Sequence, residues 1–264
     1  MSADLGVSGV LAQCRAEGRA ALIGYLPVGF PDVEGSIRAM VAMVESGVDI
    51  VEVGLPYSDP LMDGPVIQDA AVQALAGGVR LADAFRAVRA ITDAGGAAVC
   101  MTYINPVLRY GVDRFAAELA ANGGSGLITP DLIPDEAGAW IDAAERHDLD
   151  RIFLVAPSST TERLASTSAA CRGFVYVTAL MGVTGARAAV GPEAAHLIER
   201  TRAVTDTPLC VGLGVSTREQ AAQVAAYADG VIVGSALVRA LGEGVEELQG
   251  VVRELAAGVR EGGR

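Results

Sequence analysis

Two carboxylates, Glu52 and Asp63, are the residues of this chain best placed to do chemistry. Glu52 interrupts the apolar run Ile50-Val51-Glu52-Val53, which has the composition of a buried strand. The chain then breaks into a loop rich in Gly, Pro and Asp, and Asp63 stands at its end, just before Gly64-Pro65. One acid leaves the end of a strand and the other hangs over it from the following loop. Acids in different surroundings can divide the donor and acceptor roles of general acid/base chemistry. Each also has a plainer reading. Glu52 is equally a buried acid paired to an arginine, and Asp63 a turn residue ahead of a glycine. Asp59 competes, because Ser58-Asp59-Pro60 can shape the same loop. On these residues alone the catalytic and structural readings stand level.

Three glycine-bearing segments point to a second kind of chemistry: Gly182-Val183-Thr184-Gly185, Gly212-Leu213-Gly214 and Gly234-Ser235. Glycine lets backbone amides approach an anion closely, and a helix N-terminus adds partial positive charge. Gly234-Ser235-Ala236-Leu237-Val238 has the pattern of such a helix start. A tight turn explains any one of these loops; three together favour a phosphate site.

The elements that must position these residues follow a regular rhythm. Short apolar runs at Ala21–Leu26, Ile50–Val53, Ala97–Thr102, Gly126–Ile128, Arg151–Val155, Phe174–Val177, Leu209–Val211 and Gly230–Val233 predict parallel strands buried on both faces. Helical periodicity fills the gaps, as in Ile37-x-x-Met40-Val41-x-x-Val44, Phe115-x-x-x-Leu119 and Ala137-x-x-Trp140-Ile141-x-x-Ala144. Asp32, Asp113 and Ser216 are expected helix caps. Leu5 to Gly18 predicts an extra helix on the closed end of the barrel, and Val245–Val259 the last helix. Eight strands in this rhythm predict a (β/α)8 TIM barrel with an additional N-terminal helix, one domain over residues 1–264, with its function in the loops after the strands.

Composition sets limits on the chemistry. With 51% hydrophobic and 20% charged residues over 264, the chain has enough apolar side chains for a large core. The formal net charge of −12 argues against nucleic-acid binding. No apolar run reaches membrane-spanning length, and Met1 to Ala20 lacks the basic start and apolar core of a secretory signal. Cys14, Cys100, Cys171 and Cys210 are scattered with no CxxC pair, the pattern of reduced thiols in the cytoplasm. The two histidines, His147 and His196, make a metal centre improbable. The chain contains no lysine, so no side chain can form a Schiff base with a carbonyl substrate or with pyridoxal phosphate.

The segment Glu52-Val53-Gly54-Leu55-Pro56-Tyr57-Ser58-Asp59-Pro60, followed by Asp63-Gly64-Pro65-x-Ile67-Gln68, resembles the signature of the tryptophan synthase alpha subunit family. Other stretches carry the same resemblance in the same order: Gly24-Tyr25-Leu26-Pro27-Val28-Gly29-Phe30-Pro31, Tyr103-Ile104-Asn105-Pro106, Asp131-Leu132-Ile133-Pro134-Asp135-Glu136, Gly182-Val183-Thr184-Gly185 and Gly212-Leu213-Gly214-Val215. The family cleaves indole-3-glycerol phosphate to indole and glyceraldehyde 3-phosphate without metal or cofactor. The resemblance implies that Glu52 moves the protons and that Asp63 holds the indole N–H. It implies that Thr184 and Gly185 belong to a closing loop, with Thr184 orienting Asp63. It places Tyr25, Met101, Tyr103, Leu127, Leu154 and Tyr176 around the indole, with Gly212, Gly214, Gly234 and Ser235 around the phosphate. It also implies a partner, a pyridoxal-phosphate beta subunit in an α2β2 complex, docked on the loops around Leu55–Pro60 and Asn105–Tyr110. The chain departs from the family pattern at Pro27 and in the apolar stretch Ala179-Leu180-Met181. A stand-alone lyase, a non-catalytic regulatory subunit and another phosphate-binding barrel are the competing expectations; the last leaves the Glu52–Pro65 signature unexplained.

Overall fold

The computed structural model describes residues 6–178, 192–212 and 214–263. Thr184, Gly185 and the stretch Ala179-Leu180-Met181 lie outside them. The strands are β1 (Ala21–Pro27), β2 (Ile50–Gly54), β3 (Ala97–Met101), β4 (Gly126–Ile128), β5 (Asp150–Ile152), β6 (Leu154–Val155), β7 (Val175–Thr178), β8 (Leu209–Gly212) and β9 (Gly230–Val233). The helices are α1 (Val7–Ala16), α2 (Val33–Ser46), α3 (Pro65–Ala76), α4 (Leu81–Asp93), α5 (Ile104–Tyr110), α6 (Val112–Ala121), α7 (Gly138–Arg146), α8 (Thr161–Ala170), α9 (Pro192–Arg202), α10 (Arg218–Ala225), α11 (Ser235–Glu243) and α12 (Val245–Glu261).

Every strand pair is parallel, in the order β5-β4-β3-β2-β1-β9-β8-β7-β6. The two ends of this sheet, β5 and β6, are separated only by Phe153, so the sheet closes on itself as a (β/α)8 barrel. The expected fifth strand, Arg151–Val155, is thus two short ladders. The break has a local cause: the Phe153 amide donates to the Cys171 thiol at 3.4 Å instead of to a neighbouring strand.

Side chains alternate between two cores, as strand geometry requires. Ala21, Ile23, Ile50, Ala97, Val99, Ile128, Ile152, Phe174, Cys210 and Ile232 fill the barrel. Their neighbours Leu22, Val51, Val53, Cys100, Leu127, Val175, Val211 and Val231 pack outward under the helices. Helix α1 closes the N-terminal end of the barrel: Val7, Leu11 and Cys14 lie on one of its faces and join the interior cluster. Acids at the strand starts are tied to arginines at this same end. Asp49 accepts two hydrogen bonds from Arg19 at 2.9 Å, Asp150 accepts from Arg172 at 2.8 Å, and Asp229 pairs with Arg202 at 2.8 Å.

Two of the three expected caps are corrected. Asp32 does cap α2, accepting from the Gly35 amide at 2.7 Å. Asp113 lies inside the first turn of α6, whose cap is Gly111. Thr217, one residue beyond Ser216, caps α10 by accepting from the Gln220 amide; Ser216 instead donates its hydroxyl to the Gln220 side chain at 3.2 Å. The extra helix runs Val7–Ala16, inside the expected Leu5 to Gly18, and the last helix extends to Glu261.

Candidate active site

Glu52 points from β2 into the barrel, on the same side of the strand as Ile50 and Gly54. It is 1% exposed, and its Oε1 atom has no hydrogen-bond partner among the described residues. Among the described residues no arginine pairs with it, so nothing there supports the reading of Glu52 as half of a buried ion pair. A carboxylate in such a place is poorly solvated, and burial pushes its pKa up to about 8. At neutral pH this carboxyl therefore keeps its proton.

Asp63 arrives from the loop that follows β2. Gly64 in an extended conformation and Pro65 at the first helical position start α3 directly after it. The Asp63 carbonyl accepts from the Gln68 side chain at 2.7 Å, which ties the acid to the first turns of that helix. Its Oδ1 accepts from the Tyr103 hydroxyl at 3.1 Å. Burial raises the Asp63 pKa and the Tyr103 hydrogen bond opposes the rise. The competing acid, Asp59, is exposed and takes a hydrogen bond from Ser58, so it shapes the loop surface.

Tyrosines surround the two acids. Asp63, Glu52 and Tyr103 all add to the burial that raises the Tyr25 phenol, and Glu52 and Tyr25 do the same at Tyr176. Glu52, Asp63, Tyr25, Tyr103 and Tyr176 thus share one electrostatic neighbourhood. The rings fit because glycines stand beneath them. A Cβ on Gly54 would lie 2.5 Å from the Tyr25 hydroxyl oxygen, and one on Gly212 would lie 2.5 Å from that of Tyr176. Met101 and Leu154 are half-buried against the barrel interior, Leu154 in register with Tyr176.

Leu127 differs. It is fully buried in the outer layer, between β4 and the helices, and Ile128 is the β4 residue that faces inward. The structure therefore does not bring Leu127 to the acids.

The glycine end lies on the neighbouring strands. Gly234 precedes α11 and a Cβ there would sit 3.5 Å from the Tyr25 ring; Ser235, the first residue of α11, is buried. Gly214 has φ +77, a conformation that favours glycine. These residues bring a helix N-terminus and a permissive loop to the rim that carries Tyr25 and Tyr176. Among the described residues no cluster of His, Cys, Asp and Glu could hold a metal ion.

Two contributors had no role assigned from sequence. Gly54 belongs to the signature, yet its use is to leave room for Tyr25. Ile67 on α3 lies 3.7 Å from where a Cβ on Gly234 would be, so it borders the same space. The alternation of β2 could have exposed the first, since Gly54 has the same parity as Glu52.

The rim around the site is apolar in places. Leu61, Leu108 and Ile133 are exposed on three successive connections, the loop after β2, helix α5 after β3 and the loop after β4. Within the expected docking loops, however, Leu55 is buried, and Tyr110 is held against α6 by the Glu118 carboxylate and the Arg114 guanidinium.

The model of the family described as tryptophan synthase alpha chain matches residues 11–262. The tryptophan synthase alpha chain of Mycobacterium marinum is 67% identical over 248 residues, covering 94% of this chain and 92% of its own length. That of Mycolicibacterium paratuberculosis is 65% identical over 256 residues, covering 97% and 94%. The structure of Mycobacterium tuberculosis tryptophan synthase superposes with a TM-score of 0.94 at 64% identity, over 96% of this chain and 98% of that one. The alpha subunit from Legionella pneumophila superposes with a TM-score of 0.86 at 33% identity, over 97% of each chain. With matches of this extent, and with one signature acid inside a (β/α)8 barrel and the other in the loop above it, the chain belongs to the tryptophan synthase alpha chain family.

Proposed function

We propose that Glu52 and Asp63 divide the proton chemistry of the family reaction between them. That reaction cleaves indole-3-glycerol phosphate to indole and glyceraldehyde 3-phosphate, and this chain is a lyase of that class. Glu52, protonated at neutral pH, gives its proton to C3 of the indole. The ring becomes a cation, and Asp63 stabilises it by accepting the indole N–H. The Glu52 carboxylate then takes the proton of the glycerol hydroxyl. The carbon–carbon bond breaks, its electrons return to the ring, and Glu52 regains its acid form. The observation that carries this reading is the buried Glu52 carboxyl, without a cation among the described residues and holding its proton to about pH 8.

Tyr25, Met101, Leu154 and Tyr176 form the slot for the indole, and Gly212, Gly214, Gly234 and Ser235 take the phosphate at the rim. Thr184 and Gly185 belong to this proposal as the closing loop, on the family resemblance alone. The partner we propose is a tryptophan synthase beta subunit in an α2β2 assembly, receiving indole over the face that carries Leu61, Leu108 and Ile133. Exposed apolar side chains on three successive βα connections support such a contact. Among the described residues no helix is long and apolar enough to cross a membrane, and we place the chain in the cytoplasm.

The test is indole release from indole-3-glycerol phosphate by the purified chain, with and without a beta subunit, beside Glu52→Gln and Asp63→Asn. Slow release that the partner stimulates, with near loss in Glu52→Gln, is the expected result. Fast release unaffected by the partner overturns the assembly. Full activity of Glu52→Gln overturns the assignment of the acids.

A further inference from the structure

The Tyr103 hydroxyl stands between Asp63 and the exposed loop before it. Its oxygen lies 2.9 Å from the Leu61 amide nitrogen, 3.0 Å from that of Met62 and 3.1 Å from Asp63 Oδ1. A phenol oxygen has one proton and two acceptor sites. The backbone amides only donate, so they occupy both acceptor sites, and the single proton is left for Asp63. The hydroxyl cannot rotate away without abandoning an amide. The ring is equally constrained: Tyr103 is buried, and its ring packs on that of Tyr57 with centroids 5.2 Å apart. Tyr57 in turn accepts a hydrogen bond from the Asn105 side chain at 3.0 Å.

The loop that supplies the amides is the exposed one. Ser58, Asp59 and Leu61 are exposed, with Leu61 at 71%. One oxygen atom thus touches both Asp63 and the backbone of a surface loop. We propose that Tyr103 is a positioning residue that ties the placement of Asp63 to the conformation of the exposed loop Ser58–Met62. This inference rests on the reading of Asp63 as one of the two working acids, and it deepens that reading by naming what regulates the acid.

The physical link is polarisation along a hydrogen-bond chain. Two donors on the phenol oxygen make its proton a better donor to Asp63. Movement of the loop removes them, the phenol donates less strongly, and Asp63 is left with the burial that raises its pKa. Any surface that grips Leu61 acts on Asp63 through this hydroxyl, whether or not it touches substrate.

Tyr103→Phe tests the link while keeping the ring. Donation from Tyr103 favours the ionised carboxylate, so its loss raises the Asp63 pKa. The acid limb of the kcat/KM profile should then move to higher pH by about one unit. A 13C titration of the Asp63 carboxyl without substrate should report the same shift. Exchange of the Leu61 and Met62 amides should speed up at least about tenfold. Leu61→Pro, which removes one amide and leaves Tyr103 intact, should shift the Asp63 titration in the same direction by a smaller amount. Tyr57→Phe, which loses only the contact to Asn105, should leave that titration in place. Combined with Asp63→Asn, Tyr103→Phe should cost less in kcat than it does alone.

An unmoved Asp63 titration in Tyr103→Phe overturns the proposal, even if the amides exchange faster, and so does an unmoved titration in Leu61→Pro. Full activity of Asp63→Asn would instead remove the catalytic reading of Asp63, and the carboxyl titration would still decide the link to the loop.

Discussion

At the scale of single residues, position in the barrel decides what a carboxylate does. Asp49, Asp150 and Asp229 at the N-terminal end are held by arginines, whereas Glu52 lies deep in the same barrel with an oxygen that has no partner among the described residues. Its folded pKa of about 8 lies above the ordinary value of 4.5, so the folded chain holds a proton that the unfolded chain has released between those values. Raising the pH through this window therefore costs stability, by up to about 1.4 kcal/mol per pH unit. Glu52→Gln removes the titration. Urea midpoints measured from pH 5 to pH 9 should fall more steeply for the natural chain, with the variant the more stable above about pH 8. The same proton shapes activity. kcat/KM should decline on the basic side as Glu52 loses its acid form near pH 8, and Glu52→Gln should lower kcat by about 10²–10⁴-fold. A basic limb unchanged in a Glu52→Asp variant would point to another group.

At the scale of elements, strand ends create room for the aromatic rings. Gly54→Ala places a methyl 2.5 Å from the Tyr25 hydroxyl and 2.6 Å from the ring carbon that bears it. The ring must move, so the variant should lose about 1–3 kcal/mol in urea unfolding and raise KM for indole-3-glycerol phosphate. An unchanged KM would show that Tyr25 does not border the substrate. The corrected cap is testable too: Thr217→Ala should cost about 1 kcal/mol, and Ser216→Ala less. These elements were unequally legible in the sequence. The eight strands could be read because β-rich apolar runs recur between amphipathic helices. The facing of Leu127 could not, since a parallel strand is apolar on both sides and composition does not distinguish inside from outside. The break at Phe153 depends on the thiol of Cys171, which comes from the far end of α8. The Asp63–Tyr103 contact joins two loops whose meeting is fixed only when β2 and β3 pair. Glu52 and Asp63 themselves were legible because an acid in an apolar strand and an acid before Gly-Pro both break the local pattern.

At the scale of the whole molecule, the two ends of the barrel have separate tasks. Arginine–carboxylate pairs and α1 secure the N-terminal end, and the acids, glycines and exposed apolar loops gather at the other. Leu108 and Ile133 are exposed there. Leu108→Ser and Ile133→Ser should each weaken beta-subunit binding by about 1 kcal/mol or more in calorimetric titration. Binding unchanged in both would place the partner on another face. Truncating the plug gives the opposite signature: Leu11→Ala should lose about 2–5 kcal/mol of stability with little change in KM. The plug also governs traffic. With the floor of the barrel filled by Val7, Leu11, Cys14 and the side chains above them, that end offers no passage. One molecule enters and two must leave at the opposite end, so whatever covers that end sets the timetable for both departures.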